Sequence, residues 1–408
     1  MCACHRIREC IVAPLMKHET HHVDRMIVID AWAKSALPGR ATRAQAVIDR
    51  MKKLATQTDN ESLLPDALSY TCLLNAIIQD KEAGFVERCE EVVRTMEAGN
   101  GRAKPDVVSY NSIIKAYTLA RTPEKAEAVL AKMEGRGISP NRICYNNVMN
   151  AYCKSGAMES LEKALSILER MENSSAAATP DVVSYVICLD AVGKSRLKTR
   201  VQVAENLVER CLEFARNNSQ LSKTKTIFHT LQLVYSRSDD LDKHKKALSV
   251  IKMMEDNGLR PELPHYNLVL SACSRLPLDA KEHIKDSAIN MAASVLNVLQ
   301  SSKTMRLDSA VYCNFFWVCN LITSEKEKSQ TIEALFKKCC ADGLLDKLCI
   351  VALKRVAGNQ FWSLVGRNGG HVDIASLDPS WSRNAVRINL PPRPRSQISS
   401  PRHQRVVS

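Results

Sequence analysis

Two amphipathic patterns alternate along most of the chain. In the first, Tyr110 stands six residues before Ala116-Tyr117, and the same spacing joins Tyr145 to Ala151-Tyr152, Tyr185 to Ala191-Val192 and Tyr266 to Ala272-Cys273. Looser copies run from Arg25 to Ala31-Trp32, Tyr70 to Ala76-Ile77, Phe228 to Val234-Tyr235 and Tyr312 to Val318-Cys319. Each copy predicts a helix of about twelve residues, apolar at i, i+3, i+4 and i+7.

The second pattern is a small residue followed by apolar positions four and seven later. It reads Ala44–Ile48–Met51, Cys89–Val93–Met96, Ala126–Leu130–Met133 and Ala164–Leu168–Met171 in the first four copies. Ala204–Val208–Cys211, Ala247–Ile251–Met254 and Ala292–Leu296–Leu299 follow, and Ile332–Phe336–Cys339 keeps the spacing without the small residue. Steps of four and three put all three side chains on one helix face. The small residue is where a partner helix can come close. Gly137, Gly258 and Gly343 fall where a left-handed C-cap would end this helix, and Pro105, Pro140, Pro180 and Pro261 block its continuation. The residue after each of these prolines (Asp106, Asn141, Asp181, Glu262) suits a helix N-cap or an acid in the first turn.

The openings are close copies. PDVVSY occurs at Pro105–Tyr110 and again at Pro180–Tyr185, with PDALSY at Pro65–Tyr70 and PNRICY at Pro140–Tyr145. Opening aromatics from Tyr70 to Tyr312 are 40, 35, 40, 43, 38 and 46 residues apart. The shortest step defines the unit. Longer ones add residues at turns such as Leu37–Arg40, Gly156–Ser160, Lys194–Lys198 and Arg275–Lys285, where extra length costs little. Self-similarity at this period predicts a stacked all-α array.

Composition agrees with that architecture. Aromatic residues make up only 5%, which suits cores of Ala, Leu, Val and Met, and the net charge of +13 admits nucleic acid or an anionic surface as partner. Fifteen cysteines include no C-x-x-C pair, so the usual zinc and thioredoxin spacings are missing, and several occupy packing slots. They read as reduced thiols serving as small hydrophobes. The opening MCACHRIREC is too charged for a secretory signal, and no apolar run is long enough to span a bilayer.

A unit of 35 residues that opens V-V-S-Y-N and closes K/R-G-I-x-P-D/N resembles the pentatricopeptide repeat family, in its P-type form. Val107–Asn141 and Arg142–Asp181 match best, with Glu-Lys-Ala at 124–126 and Met-Glu-x-x-Gly at 133–137. Tetratricopeptide repeats, with a W-x2-L-G-x2-Y start, do not fit. The resemblance covers roughly residues 22–346. It implies a right-handed superhelical α-solenoid of about eight repeats: 22–66, 67–106, 107–141, 142–181, 182–224, 225–262, 263–308 and 309–346. Residues 1–21 would be the end of a preceding repeat or an extension, 347–365 a C-terminal capping helix, and 366–408 a basic, Pro- and Arg-rich tail expected to be disordered.

The same resemblance implies single-stranded RNA as the partner, read one base per repeat by two or three side chains. In such repeats the residue after the opening aromatic and the last residue of the repeat meet the base edge. The residue two before the aromatic packs between bases. Those places hold Thr71 with Asp106, Asn111 with Asn141, Asn146 with Asp181, and Asn267 with Asp308; the packing residues are Leu68, Val108, Ile143 and Val183. The family's base rule assigns G, a pyrimidine, U and U to the four pairs. Independently of the family, Asn and Thr are short groups that both donate and accept, although each Asn could equally be a plain first-turn polar residue. Val186 with Thr224, His229 with Glu262, Cys313 with Asp346 and Met26 with Asp66 form no readable pair.

The functional expectation is a non-catalytic, sequence-selective RNA-binding protein acting in organellar RNA processing, stability or translation. Mitochondrion or plastid is implied by the resemblance alone. The first residues carry Glu9 and Glu19 and no Ser, so they hold no clear transit peptide. Possible protein partners for RNA processing are implied too; a membrane, a small-molecule substrate and a cofactor are not. The competing expectation is a tetratricopeptide-like scaffold that binds protein. RNA binding predicts basic residues along the groove with the Asn and Thr exposed, whereas a scaffold predicts apolar patches there. His18-Glu19-Thr20-His21-His22 fits H-E-x-x-H, but it falls at a junction where the array puts a turn, and that zinc chemistry needs a continuous helix. The tail's two Asp and two His (Asp373, Asp378, His371, His403) are scattered among loops.

Overall fold

The computed structural model describes residues 22–365, apart from 36, 100, 156–157, 174–177, 196 and 303. The chain divides between Thr230 and Leu231 into two compact units. Among the described residues there are eighteen α-helices and no strand. In the first unit they pair as α1 (His22–Lys34) with α2 (Arg40–Thr58), α3 (Ala67–Asp80) with α4 (Phe85–Ala98), and α5 (Val107–Ala120) with α6 (Pro123–Gly135). Then come α7 (Arg142–Ser155) with α8 (Met158–Glu172) and α9 (Val182–Lys194) with α10 (Arg200–Asn217). The division falls within α11 (Lys225–Arg237). The second unit continues with α12 (Lys243–Asp256), α13 (Leu263–Ser274), α14 (Glu282–Ser301), α15 (Ser309–Val318) and α16 (Glu325–Ala341), and ends on α17 (Lys347–Ala357) and α18 (Gln360–Val365).

The two sequence patterns become the two helices of each pair. First helices stack on first helices, α1 on α3, α3 on α5, α5 on α7 and α7 on α9; in the second unit α13 stacks on α15 and α15 on α17. The small residues of the second helices (Ala44, Cys89, Ala126, Ala164, Ala204) expose no surface, nor do Met51, Met96, Met133 and Met171 at the third position. Cys188 on α9 sits with Sγ 3.8 Å from the Ala164 carbonyl of α8, so a bulkier residue at 164 would strike the neighbouring helix. Cys211 and Cys339 fill the Met slot without exposure. Burial pushes Cys89, Cys153, Cys273 and Cys319 up to about 12, so these thiols stay protonated in the core.

Helix ends follow the punctuation. Gly137 has φ 73° and Gly258 φ 70°, and the amides just beyond them, Ile138 and Leu259, reach back to the Met133 and Met254 carbonyls at 3.0 and 2.8 Å. Only glycine takes that left-handed turn cheaply. The extra residues of the long repeats, read as turns from sequence, partly extend helices instead. Helix α8 already begins at Met158 and α14 at Glu282, inside the stretches assigned to turns. A few solvent-side residues can add to an existing helix for the cost of fixing each one, because nucleation is already met. The expected capping helix at 347–365 is two helices, α17 and α18.

The opening tyrosine and the Met-Glu pair together explain the period. Tyr110 donates to Glu97 at 3.1 Å, Tyr145 to Glu134 at 3.2 Å and Tyr185 to Glu172 at 2.8 Å, each Glu following the core Met of the preceding second helix. The same carboxylates take Lys132 (2.6 Å), Arg170 (3.2 Å) and Arg210 from the next second helix. Each junction is thereby tied through three helices. Burial, and then the Glu partner, pushes the Tyr110 phenol up to about 12 and raises Tyr185 as well. A phenol raised in the folded state contributes stability that is complete below the unfolded value of about 10 and is lost as pH rises through the folded value. Melting temperature should therefore fall steeply above about pH 10. Replacing the three tyrosines by Phe should flatten that fall. An unchanged alkaline limb would show that the phenols do not govern it.

Candidate nucleic-acid interface

From α3 onward the second residue of each first helix is exposed. Leu68, Val108, Ile143 and Val183 are 59, 55, 56 and 56% exposed, so the first unit carries four bare aliphatics at one register. Thr226 holds that place in α11, Pro264 in α13 and Ala310 in α15, all exposed. A large aliphatic left in water at four successive copies contributes nothing to the core, and such recurrence marks a contact surface.

Beside it lies the N-cap. Asp106, Asp181 and Asp308 each accept, through Oδ1, the backbone N–H three residues on: Ser109 at 2.8 Å, Ser184 at 3.0 Å and Val311 at 3.0 Å. Asn141 does the same for Cys144 at 3.2 Å. The last residue of a repeat is therefore the cap of the next first helix. Capping engages only Oδ1. Asp181 Oδ2 lies 3.4 Å from Arg142 Nε on the partly exposed side.

The residues after the opening aromatic are placed differently from one another. Asn111, Asn146 and Asn267 are half-buried, and each is anchored by a protein group. Asn111 Oδ1 accepts from Asn147 Nδ2 at 2.6 Å, and Asn146 Oδ1 accepts from Ser184 Oγ at 2.7 Å. Asn267 Nδ2 donates to both oxygens of Asp308 at 3.2 Å. Thr71 is only 3% exposed; its hydroxyl donates to the Ala67 carbonyl at 2.8 Å and meets Ser109 Oγ at 2.9 Å. Thr71 and Asp106 are thus joined through Ser109, whose Oγ also donates to Asp106 Oδ1 at 2.8 Å, but Thr71 itself lies beneath the surface. The structure brings Asn146 together with Asp181, and Asn267 with Asp308; it anchors Asn111 on Asn147 rather than on Asn141.

Sequence reasoning missed the bridging serines, Asn147 and the place of α17. Ser109 and Ser184 recur within the repeated PDVVSY, and that recurrence was the available signal. Asp346-Lys347-Leu348-Cys349-Ile350 repeats the pattern of Asp106–Tyr110 without the aromatic; Asp346 caps Cys349 at 2.8 Å and Leu348 is exposed like Val108. Basic residues are exposed near the far ends of the first helices at Lys154 and Lys194, the latter paired with Asp190. Four residues of H-E-x-x-H lie outside the described residues, as do the leading segment and the tail; among the described residues no three His, Cys, Asp or Glu cluster as a metal site. No described helix is long and apolar enough to cross a membrane.

Family models match this chain over the stretches that carry the geometry. The model described as "PPR repeat family" matches residues 105–154, "Pentatricopeptide repeat domain" matches 53–118 and 238–275, and "PPR repeat" matches 143–175. The chain belongs to the pentatricopeptide repeat family. Among relatives of this pentatricopeptide repeat chain, a chloroplast pentatricopeptide repeat-containing protein of Arabidopsis thaliana is 24% identical over 243 residues, 57% of this chain and 29% of the relative. A mitochondrial one from the same plant is 29% identical over 122 residues, 30% of this chain and 16% of the relative. The chain therefore spans less than a third of the length of either. The crystal structure of the pentatricopeptide repeat protein PPR10 in complex with an 18-nt psaJ RNA element aligns over 89% of this chain and 54% of its own. Identity there is 17% and the TM-score 0.38.

Proposed function

We propose that this pentatricopeptide repeat chain binds single-stranded RNA in a sequence-selective way and acts on organellar transcripts through binding alone. The observation that carries this reading is the register. In α5, α7 and α9 an exposed aliphatic (Val108, Ile143, Val183) sits beside a capping Asp or Asn whose cap bond uses only Oδ1. An aliphatic edge can pack on a base face of any sequence, while a short amide and a carboxylate distinguish base edges by donor and acceptor pattern. The excess of positive charge suits a phosphate backbone. The chloroplast and mitochondrial names of relatives agree with an organellar site of action. In the scaffold alternative the same aliphatics would meet protein; their separation by polar caps favours stacked bases over one continuous apolar interface.

Selection from a randomised single-stranded RNA pool, with a salt titration of the bound fraction, tests the proposal. Enrichment of a pyrimidine followed by U at adjacent places is the expected result for Asn111/Asn141 and Asn146/Asp181. Whether G precedes them decides if the buried Thr71 still reads. Salt-sensitive binding without enrichment would leave a basic array that does not read sequence. Absence of binding at ~100 mM salt, where phosphate contacts still count, would transfer these surfaces to a protein partner.

A further inference from the structure

The fourth and seventh repeats carry the same outward pair, Asn146 with Asp181 and Asn267 with Asp308, yet the two pairs are built differently. At the fourth repeat's pair, Ser184 of the fifth repeat, three residues past the cap Asp181, places its hydroxyl 2.7 Å from Asn146 Oδ1 and 3.0 Å from Asp181 Oδ1. The shorter contact gives the amide oxygen a protein donor. Asn146 Nδ2 is then the half of the amide that Ser184 does not engage, and the second Asp181 oxygen, Oδ2, lies 3.4 Å from Arg142 Nε. At the seventh repeat's pair the corresponding residue is Val311 of the eighth repeat, which has no hydroxyl. There Asn267 turns its Nδ2 onto both Asp308 oxygens at 3.2 Å, and its Oδ1 is buried with no hydrogen-bond partner. A serine bridges the amide and the carboxylate of one pair; the other pair closes on itself.

We propose that Ser184 is a specificity-determining positioning residue, which holds the Asn146 amide so that the fourth repeat selects uracil over cytosine, and that Val311 denies this to the seventh. The inference rests on the RNA-binding reading above. Uracil offers an acceptor at O4 and a donor at N3, the complement of Asn146 Nδ2–H and Asp181 Oδ2. Cytosine offers the reverse, a donor at N4 and an acceptor at N3. An amide free to turn over would offer Oδ1 to the cytosine amino group, so losing the Ser184 hydroxyl relaxes the choice without removing either reader. Ser109 of the third repeat holds the equivalent place for the second repeat's pair and bridges Thr71 and Asp106.

The test uses the full chain, an RNA recovered from the pool, and its variants carrying C in place of U at the fourth or the seventh place. Affinities are read by fluorescence anisotropy. For the wild type we expect U over C by about tenfold at the fourth place, the scale of one good base-edge contact, and little preference at the seventh. Ser184→Ala should bring the fourth-place ratio to about threefold or less with binding to the U form retained, and Ser184→Thr should restore it. Val311→Thr, which keeps the branched shape, should create a U preference at the seventh place. An unchanged ratio in Ser184→Ala overturns the proposal while leaving RNA reading intact. Equal weakening for U and C, not rescued by Thr, assigns Ser184 a structural role only and overturns it as well. No RNA binding by the wild type removes the reading beneath it, a failure visible before any variant is made.

Discussion

Ile143→Asp combined with Val183→Asp should weaken RNA binding on the order of a hundredfold and leave thermal unfolding nearly unchanged. Both side chains are more than half exposed, so the core loses almost nothing when they are replaced. Each sits in the first turn of its helix, where an added carboxylate meets the favourable end of the helix dipole. At the interface the same change removes an apolar platform beneath a base and sets a negative charge beside the phosphates. Roughly tenfold for each position corresponds to about 1.4 kcal/mol, within the ~1–3 kcal/mol range of base stacking on side chains. Anisotropy titrations beside circular-dichroism melts separate the two effects. Affinity within about threefold of wild type at an unchanged melting temperature would take these residues off the binding face.

Leu168→Ala should cost about 2–5 kcal/mol, the range for deleting a fully buried Leu side chain. Leu168 is the middle member of the Ala164–Leu168–Met171 face of α8, and none of the three exposes any surface. The cavity would open beside the junction where α9 approaches the Ala164 carbonyl, so α8 could close it only by losing contact with the next pair. In a stacked array each pair is stable through its neighbours, so the loss should spread along the first unit rather than stay in one helix. Urea unfolding reports it as a lowered midpoint. Lys163→Ala, on the exposed side of the same helix, is the control and should stay within about 0.5 kcal/mol of wild type. Comparable losses in both variants would mean that the 164–168–171 face is not the packing face.

Both predictions start from patterns legible in the chain. The 4-and-3 spacing of the second helices survives as buried faces because side chains four and seven apart must share a helix face whatever surrounds them. The glycine and proline punctuation survives for an equally local reason: a left-handed C-cap and a blocked helix are properties of one or two residues. The exposure of Leu68, Val108, Ile143 and Val183 follows from the same periodicity, since they lie off the stripe that turns inward.

Other features were beyond local pattern. Turn and helix are close in free energy for a few extra surface residues, so the insertions before Ala164 and Ala292, located from sequence but read as turns, in part joined α8 and α14. Thr71 and Asn146 hold equivalent places, yet one is buried and the other half-buried. Their hydrogen bonds run to Ser109 and Ser184, 38 residues away in each case, across a junction between repeats. Local periodicity carries no information about such a partner.

The sequence by itself determined the repeat, the two helices of each pair, the residues that fill them and the register on which a polymer could be read. Those depend on spacing along one chain segment, and helix geometry converts spacing into direction without reference to the rest of the molecule. Tertiary structure alone decided which of the outward pairs is presented. A donor or acceptor is defined by what else it bonds; for Asn111 and Asn146 that partner, Asn147 or Ser184, comes from the next repeat, and for Asn267 it is Asp308, 41 residues on. Hydrogen-bond direction is fixed only when the stack closes, and with it the difference between a pair bridged by Ser184 and a pair that closes on itself.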